Sequence, residues 1–391
     1  MPEVVIVGGG IVGLSTAFHL ASKGVRDVTV VERRFIGAGA SGKSGAIIRT
    51  HYSNEPETRL AIEGLRVFRA WADIVGGDCR FERTGLIVLV PPESLSDLEA
   101  NVTMQRSLGV DVEIVDETQL RELDPAVSLA DGAVAAYEPE AGVSDSMAAC
   151  NSLAAAAMRL GVTFRLDTSV REIRHQAGRV IGVSTSAGPL DADVVVLAPG
   201  AFALPLLQPL GIDLPMVPAT SRISIFRWPL ERDPRHPVLI DGLNGLWLRP
   251  IHGDSTLIGA ERGVRRVVED PEHADETIDQ AYVEHCREQL ARRYPVMRHA
   301  VGRGGWTGIL MRSADDRPII GPFDGFSGLF GLVGDSGTSF KTAPAVGRAL
   351  AELIIDGTSE IDLTPFHASR FAGGGGWIDE HQYAQRSSVS R

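Results

Sequence analysis

The sequence predicts an α/β fold: a Rossmann-like dinucleotide-binding domain joined to a second domain of α+β character. Three observations carry this. Val4–Val7 is an unbroken apolar run that leads straight into Gly8-x-Gly10-x-x-Gly13. A second such run, Val28–Val31, ends at Glu32. Another Gly-rich turn, Gly334–Gly337, follows an apolar run near the far end of the chain and opens an apolar-periodic stretch. With 391 residues, 44% hydrophobic and 23% charged, the chain is long enough for two domains.

The first element is a strand buried on both faces, since parallel strands read as continuous apolar runs. The periodic stretch through Leu20, stopped by Gly24, predicts the helix that follows. In the turn between them Gly8 bends the chain, Gly10 allows backbone to approach a pyrophosphate, and Gly13 lets helix pack on strand. The helix N-terminus offers unpaired N–H groups and partial positive charge to the phosphates. Glu32 closes the second strand nineteen residues after Gly13 (32 − 13). A carboxylate there accepts hydrogen bonds from ribose hydroxyls and repels a 2′-phosphate, so the cofactor is FAD or NAD rather than NADP.

Residues 37–44 read GAGASGKS, which spells the phosphate loop of triphosphatases. A true phosphate loop follows its strand directly and opens a helix. Here Arg33–Ile36 intervene, and Gly45 with Ile47-Ile48 makes a poor first helical turn. The only candidate for a Mg²⁺-binding acid, Asp241, is far along the chain. The small residues of the loop instead allow backbone to crowd against something large and flat.

Bulk properties exclude other classes. A formal charge of −12 argues against a nucleic-acid partner. No run of 18 apolar residues exists to span a membrane. Cys79, Cys150 and Cys286 show no metal-ligand rhythm and no disulfide framework, and the start, Met-Pro-Glu, lacks the features of a signal peptide. The cytoplasm is therefore the expected compartment, and no metal site is expected. Only Lys23, Lys43 and Lys341 are lysines among 38 basic residues, through coding bias, a need for a compact ammonium, or chance.

Four later segments carry a resemblance: Gly39–Tyr52, Gly161–Ile173, Ala192–Phe202, and Asp315–Pro322 with Gly331–Gly347. On these the chain, from about residue 3 to residue 357, resembles the D-amino-acid oxidase and sarcosine oxidase family of FAD enzymes. The resemblance implies a discontinuous FAD-binding domain (1–78, 145–215 and 305–371) with an inserted substrate domain (79–144 and 216–304) built on a mixed or antiparallel sheet. Phe81–Val90, Val134–Glu138, Ser221–Phe226, Gly245–Arg249 and Ser255–Ala260 read as its strands, and 93–108 and 275–293 as helices. Residues 372–391, with four consecutive glycines and a Ser/Arg end, read as a flexible tail.

By the same resemblance the FAD contacts are Gly8, Gly10, Ile11, Val12 and Gly13; Glu32 and Arg33; Ser41, Lys43, Ser44, Gly45 and Ala46; Val170 and Gly200; and Gly334, Gly337, Thr338, Ser339 and Lys341. The helix opening near Ser339 would stabilise negative charge on the reduced flavin. In sarcosine-type members an arginine and a lysine clamp the substrate carboxylate, and these roles fall on Arg49 and Lys341; ordinary ion pairing is the alternative for each. The arginine of glycine oxidases aligns with Leu310. Trp247 and Glu261 fall in the substrate cage, with Trp247 equally readable as core. His51 and Tyr52 are given no role, because hydride transfer from a neutral amine needs no side-chain base.

The departures also bear on function. The cysteine that tethers FAD in monomeric sarcosine oxidases aligns near Gly308, so FAD is expected to be non-covalent. Their oxygen-activating lysine falls on Leu257, leaving Lys43 as a candidate source of that charge. The expected activity is oxidation of an amino acid or secondary amine by hydride transfer to flavin N5, with electrons passing to oxygen or a carrier. An NAD-linked dehydrogenase, or a flavin-bearing subunit active only in a complex, are the alternatives.

Overall fold

The computed structural model describes residues 1–129, 133–229, 235–251, 253–373 and 376–383. Val4–Val7 lies inside a six-stranded sheet ordered Ile319–Pro322, Leu329–Val333, Val194–Leu197, Val4–Val7, Val28–Val31, Thr163–Arg165. All neighbours are parallel except the first pair. Alternation along the strands decides what covers each face. Val4, Ile6, Val28, Val30, Val194 and Val196 face the helices Ile11–Ser22, Glu55–Arg69, Ser146–Arg159 and Ser339–Asp356. Val5, Val7, Val31, Val195 and Leu197 face a three-stranded antiparallel sheet, Val170–Gln176, Arg179–Thr185 and Gly188–Asp191. Each valine so buried contributes about 1.5–3 kcal/mol.

Parallel pairing sends the carboxyl ends of four neighbouring strands to one edge. Gly8, Glu32, Ala198 and Gly334 each follow the last residue of such a strand, and they rim a single crevice.

A second, eight-stranded sheet covers that crevice. Its order is Val301–Ser313, Met216–Arg227, Ser255–Ala260, Leu246–Ile251, Val238–Asp241, Leu86–Val90, Val134–Glu138, Glu113–Val115. Only the pairing of Val238–Asp241 with Leu86–Val90 is parallel. Gln280–Arg293 packs on its outer face, where Tyr282, Cys286 and Leu290 are buried. A small sheet of Ile47–Ile48, Gly142–Val143 and Glu82–Arg83 joins the loop before Arg49 to this layer.

Val134–Glu138 and Ser255–Ala260 form as expected. The run expected over Phe81–Val90 is interrupted at Gly85, whose φ of +72° no strand residue adopts. The expected helix 275–293 begins only at Gln280, because the Asp279 carboxylate accepts the Tyr282 N–H at 2.7 Å and caps it. Val301–Ser313 stays in the eight-stranded sheet beyond 304, where the first domain was expected to resume.

One expectation is corrected outright. Residues 376–383 are no loose tail: Asp379 and Tyr383 are buried, held by Arg317 and His51. Residues 374–375 and 384–391 of that expectation lie outside the described residues. Among the described residues no helix is long and apolar enough to cross a membrane.

Candidate functional site

The crevice is a cavity of about 1260 Å³ between the two main sheets. At one end the chain offers backbone. Gly8 has φ +111°, and a Cβ there would lie 2.2 Å from the Ala198 carbonyl oxygen. A Cβ at Gly13 would lie 2.1 Å from the Gly8 oxygen; Gly13 thus seats the helix on the strand and does not itself line the cavity. Gly10, the N-cap of Ile11–Ser22, has no side chain to cap with. The Ser41 hydroxyl supplies the cap, accepting the Ile11 N–H at 3.0 Å. Glu32 is fixed by the N–H groups of Gly9 (2.7 Å) and Arg34 (2.8 Å), which hold its carboxylate at the strand end. Arg33 lies over the Phe202 ring at 4.0 Å and pairs with Glu272. Val12, Val170 and Gly200 line this end too.

The loop Gly37–Ala46 runs beneath the middle of the cavity without helix and leads into Ile47–Ile48, which disposes of the triphosphatase spelling. Ser44, Gly45 and Ala46 line the cavity. The indole of Trp247 lies against Gly45, where a Cβ would be 2.4 Å from its ring. Trp247 is half-buried and walls the cavity, so it is more than core. Lys43 also lines the cavity, its Nζ paired with Glu276 and its side chain beside Gly308.

At the far end the helix Ser339–Asp356 points its N-terminus into the cavity. Thr338 makes no side-chain cap, and the buried Ser339 Oγ has no hydrogen-bond partner. Gly334, Gly337, Thr338 and Ser339 all line the space, as does Asp335. Burial pushes the Asp335 carboxyl up to about 6, against the pull of the Gly337 N–H and Lys341.

Arg49 and Lys341 meet here. Both are buried and both face the ring of the wholly buried Tyr52, with the Arg49 guanidinium carbon 4.5 Å and Lys341 Nζ 5.2 Å from its centre. Behind them Glu138 is buried; desolvation raises its carboxyl, while Thr50 hydrogen bonds and the charges of Arg49 and Lys341 pull it back down. Tyr52, Glu138 and Asp335 escaped assignment from sequence. Asp335 alone left a signal there, a lone acid between Gly334 and Gly337 at a strand end.

Glu261 is the expectation the structure corrects. Its side chain does not line the cavity. It accepts hydrogen bonds from the backbone (2.9 Å) and Nε (3.1 Å) of Arg222 and pairs with Arg265. Two arginines claim its charge, and it is part of the sheet's framework.

No cysteine or histidine lines the cavity among the described residues, and all three thiols are free and buried. Leu257 is buried in its sheet away from the cavity, whereas Leu310 is on its wall.

Over residues 3–353 the chain matches the DAO family, described as FAD dependent oxidoreductase. The chain belongs to that family. It is 27% identical to glycine oxidase of Geobacillus kaustophilus over 380 residues, covering 95% of this chain and 97% of that one. It is 28% identical to 4-methylaminobutanoate oxidase (formaldehyde-forming) of Paenarthrobacter nicotinovorans, covering 95% of this chain but 46% of that longer protein. Among solved structures, L-proline dehydrogenase from P. horikoshii matches with a TM-score of 0.88 at 25% identity, covering 96% of this chain and 99% of that one. This oxidoreductase is therefore an FAD enzyme, and its cavity fits the group. Gly8, Gly10 and Glu32 line one end of it, and at the other the helix terminus at Ser339 carries a buried hydroxyl with no hydrogen-bond partner, donor and acceptor chemistry that suits a dinucleotide.

Proposed function

We propose that this enzyme oxidises the C–N bond of an amino acid or of a secondary amine, N-methyl or cyclic, to the imine. The observation that carries the reading is the convergence of Arg49 and Lys341 on one buried tyrosine at the end of the cavity. Two cations held in so dry a place select a carboxylate, each charge-assisted hydrogen bond contributing about 1.5–3 kcal/mol. Bound FAD would supply at N5 the acceptor for a hydride from the carbon beside nitrogen, with dioxygen or an electron carrier as final acceptor.

The protein's own part is positioning. Arg49 and Lys341 would hold the acid end, and Trp247 would wall the amine side and exclude water. Gly8, Gly10, Glu32, Arg33, Ser41 and Val170 would hold the dinucleotide, and the Ser339 helix terminus would favour negative charge developing at its end of the cavity. With neither thiol nor imidazole on the cavity wall among the described residues, FAD would be bound non-covalently. The division into a discontinuous FAD-binding domain and an inserted substrate domain belongs to the same proposal, as does a cytoplasmic location, for which three unpaired buried thiols speak. Glycine oxidase and 4-methylaminobutanoate oxidase are named for substrates that carry both an amine and a carboxylate, which supports this substrate class. The family match sets the NAD-linked alternative aside.

An anaerobic visible spectrum against N-methyl, cyclic and D-amino acids tests the reading. Bleaching by an amino carboxylate but not by its amide is the expected result; bleaching by amines lacking an acid group, at equal efficiency, would overturn the clamp. Rapid recovery of colour in air would identify oxygen as acceptor and slow recovery a carrier. A flavin bleached by no amine at all would favour a subunit that works only within a complex, as the name of the 24% identical sarcosine oxidase subunit beta of Rhodobacter capsulatus implies for that protein.

A further inference from the structure

The four residues after Arg49 form neither helix nor strand, so no ladder holds them. Each is tied to a distant part of the chain instead. Thr50 donates its N–H (3.1 Å) and hydroxyl (2.7 Å) to Glu138. His51 Nε2 lies 2.7 Å from the Tyr383 hydroxyl, with the two rings stacked at 6.0 Å. The Tyr52 carbonyl accepts from Gln105 at 2.7 Å. Ser53 donates its hydroxyl to Asp379.

Two of these four ties come from residues 376–383, which lie beyond the stretch that matches the family. That segment is itself anchored on both sides of the loop. Asp379 pairs with Arg317, which also pairs with Glu57 at 3.3 Å and covers the Trp377 ring at 4.8 Å. Asn101, on the helix Leu95–Ser107, donates to the His381 carbonyl at 2.9 Å. His51, Ser53, Asn101, Arg317, Asp379 and Tyr383 are all buried, so water does not compete for these bonds.

We infer that the C-terminal segment is a strap that positions Arg49 for the substrate carboxylate, with Tyr383 and Asp379 as its positioning residues. The inference rests on reading Arg49 as a carboxylate ligand. Arg49 extends over the ring of Tyr52, and the residues flanking Tyr52 are the two that the strap grips. Freeing them lets an irregular loop sample other backbone states, and a guanidinium misplaced by an ångström loses a directed bond. FAD contacts come from other segments and do not depend on the strap.

The test uses the flavin-loaded protein and acetate as carboxylate probe, with binding read from the shift of the visible flavin band. Tyr383→Phe and Asp379→Asn should each raise the acetate dissociation constant about three- to tenfold with flavin content unchanged. The melting temperature should stay close to the parent's in Tyr383→Phe and fall by a few degrees in Asp379→Asn, which leaves buried Arg317 paired with Glu57 alone among the described residues. Truncation after Ala372 should raise it further, and Arg49→Ala furthest. Unchanged acetate binding in both point variants, beside a clear loss in Arg49→Ala, would overturn the strap while leaving the clamp standing. No loss in Arg49→Ala would overturn the clamp and the strap with it. Loss of acetate binding only in step with loss of flavin would show a purely structural segment and also overturn the proposal.

Discussion

At the Gly8–Glu32 end of the cavity the chain offers backbone amides and the absence of side chains; at the Arg49–Lys341 end it offers charged side chains gathered from distant elements. The first end is centred on one strand-turn-helix unit, closed by Glu32 of the next strand and crowded by backbone. The second depends on Arg49, Tyr52, Glu138 and Lys341, brought together by strand pairing and helix packing. Damage at the first end should therefore abolish cofactor binding, and damage at the second should alter substrate handling in a protein that stays yellow.

The largest effect is expected at Gly13. Any side chain there meets the Gly8 carbonyl oxygen, a backbone atom that cannot move without displacing the turn. Purified Gly13→Val should carry at most about a tenth of the parent's FAD. Full loading of that variant would break the comparison at once.

Arg49→Ala should come next. Losing one or two charge-assisted bonds of about 1.5–3 kcal/mol each lowers kcat/KM by one to several powers of ten with FAD content intact. Steady-state kinetics with whichever amine bleaches the flavin measures it, and a drop confined to kcat at unchanged acetate affinity would contradict a carboxylate role.

Glu261→Gln sharpens the contrast, because this residue has the chemistry of a site and the position of a brace. Removing its charge leaves Arg222 and Arg265 under-neutralised in a buried setting. A fall of a few degrees in melting temperature is expected, with acetate affinity and substrate preference unchanged. A change in amine preference would return Glu261 to the cage.

These cases show what was legible in the sequence. The glycine turn, Glu32 and the second helix terminus could be read because local spacing alone determines them. Arg49 and Lys341 could be read only through resemblance, as nothing near either residue points to the other. Glu261 misled because alignment supplies a position along a strand but not which arginines lie behind it. The ordered C-terminal segment was hidden by composition: glycines and serines at the end of a chain look mobile, and its partners Arg317, His51, Ser53 and Asn101 lie far away along the chain.

A smaller effect separates the ends by pH. Burial lowers His19 and His236 to about 4 and His51 to about 3, with Arg49 adding to the shift at His51. The unfolded chain protonates these groups below their ordinary 6.5 while the fold keeps them neutral, so stability is lost as pH falls from 6.5 towards 4. Asp335, raised to about 6, acts in the opposite sense, since the fold keeps its proton where the unfolded chain has released it. Its contribution is lost as pH rises from about 4 to 6. Melting temperatures of flavin-free protein should fall on acidification, and Asp335→Asn should steepen the fall.

The smallest effect is expected at Lys43, which stands where the two ends meet. Its place on the cavity wall beside Gly308 makes it a candidate for the positive charge that helps oxygen react with reduced flavin. Yet its ammonium is partly exposed and already paired with Glu276, and Glu276 shares that pairing with Arg34. A charge so neutralised and solvated projects little field into the cavity, and an exposed pair of this kind is worth about 1 kcal/mol or less. Lys43→Met should therefore change the rate of colour recovery in air by no more than about threefold. Slowing by a hundredfold would mean that Glu276 releases the lysine when the cavity is filled, and the oxygen site would then lie on Lys43 rather than on a residue of the covering sheet.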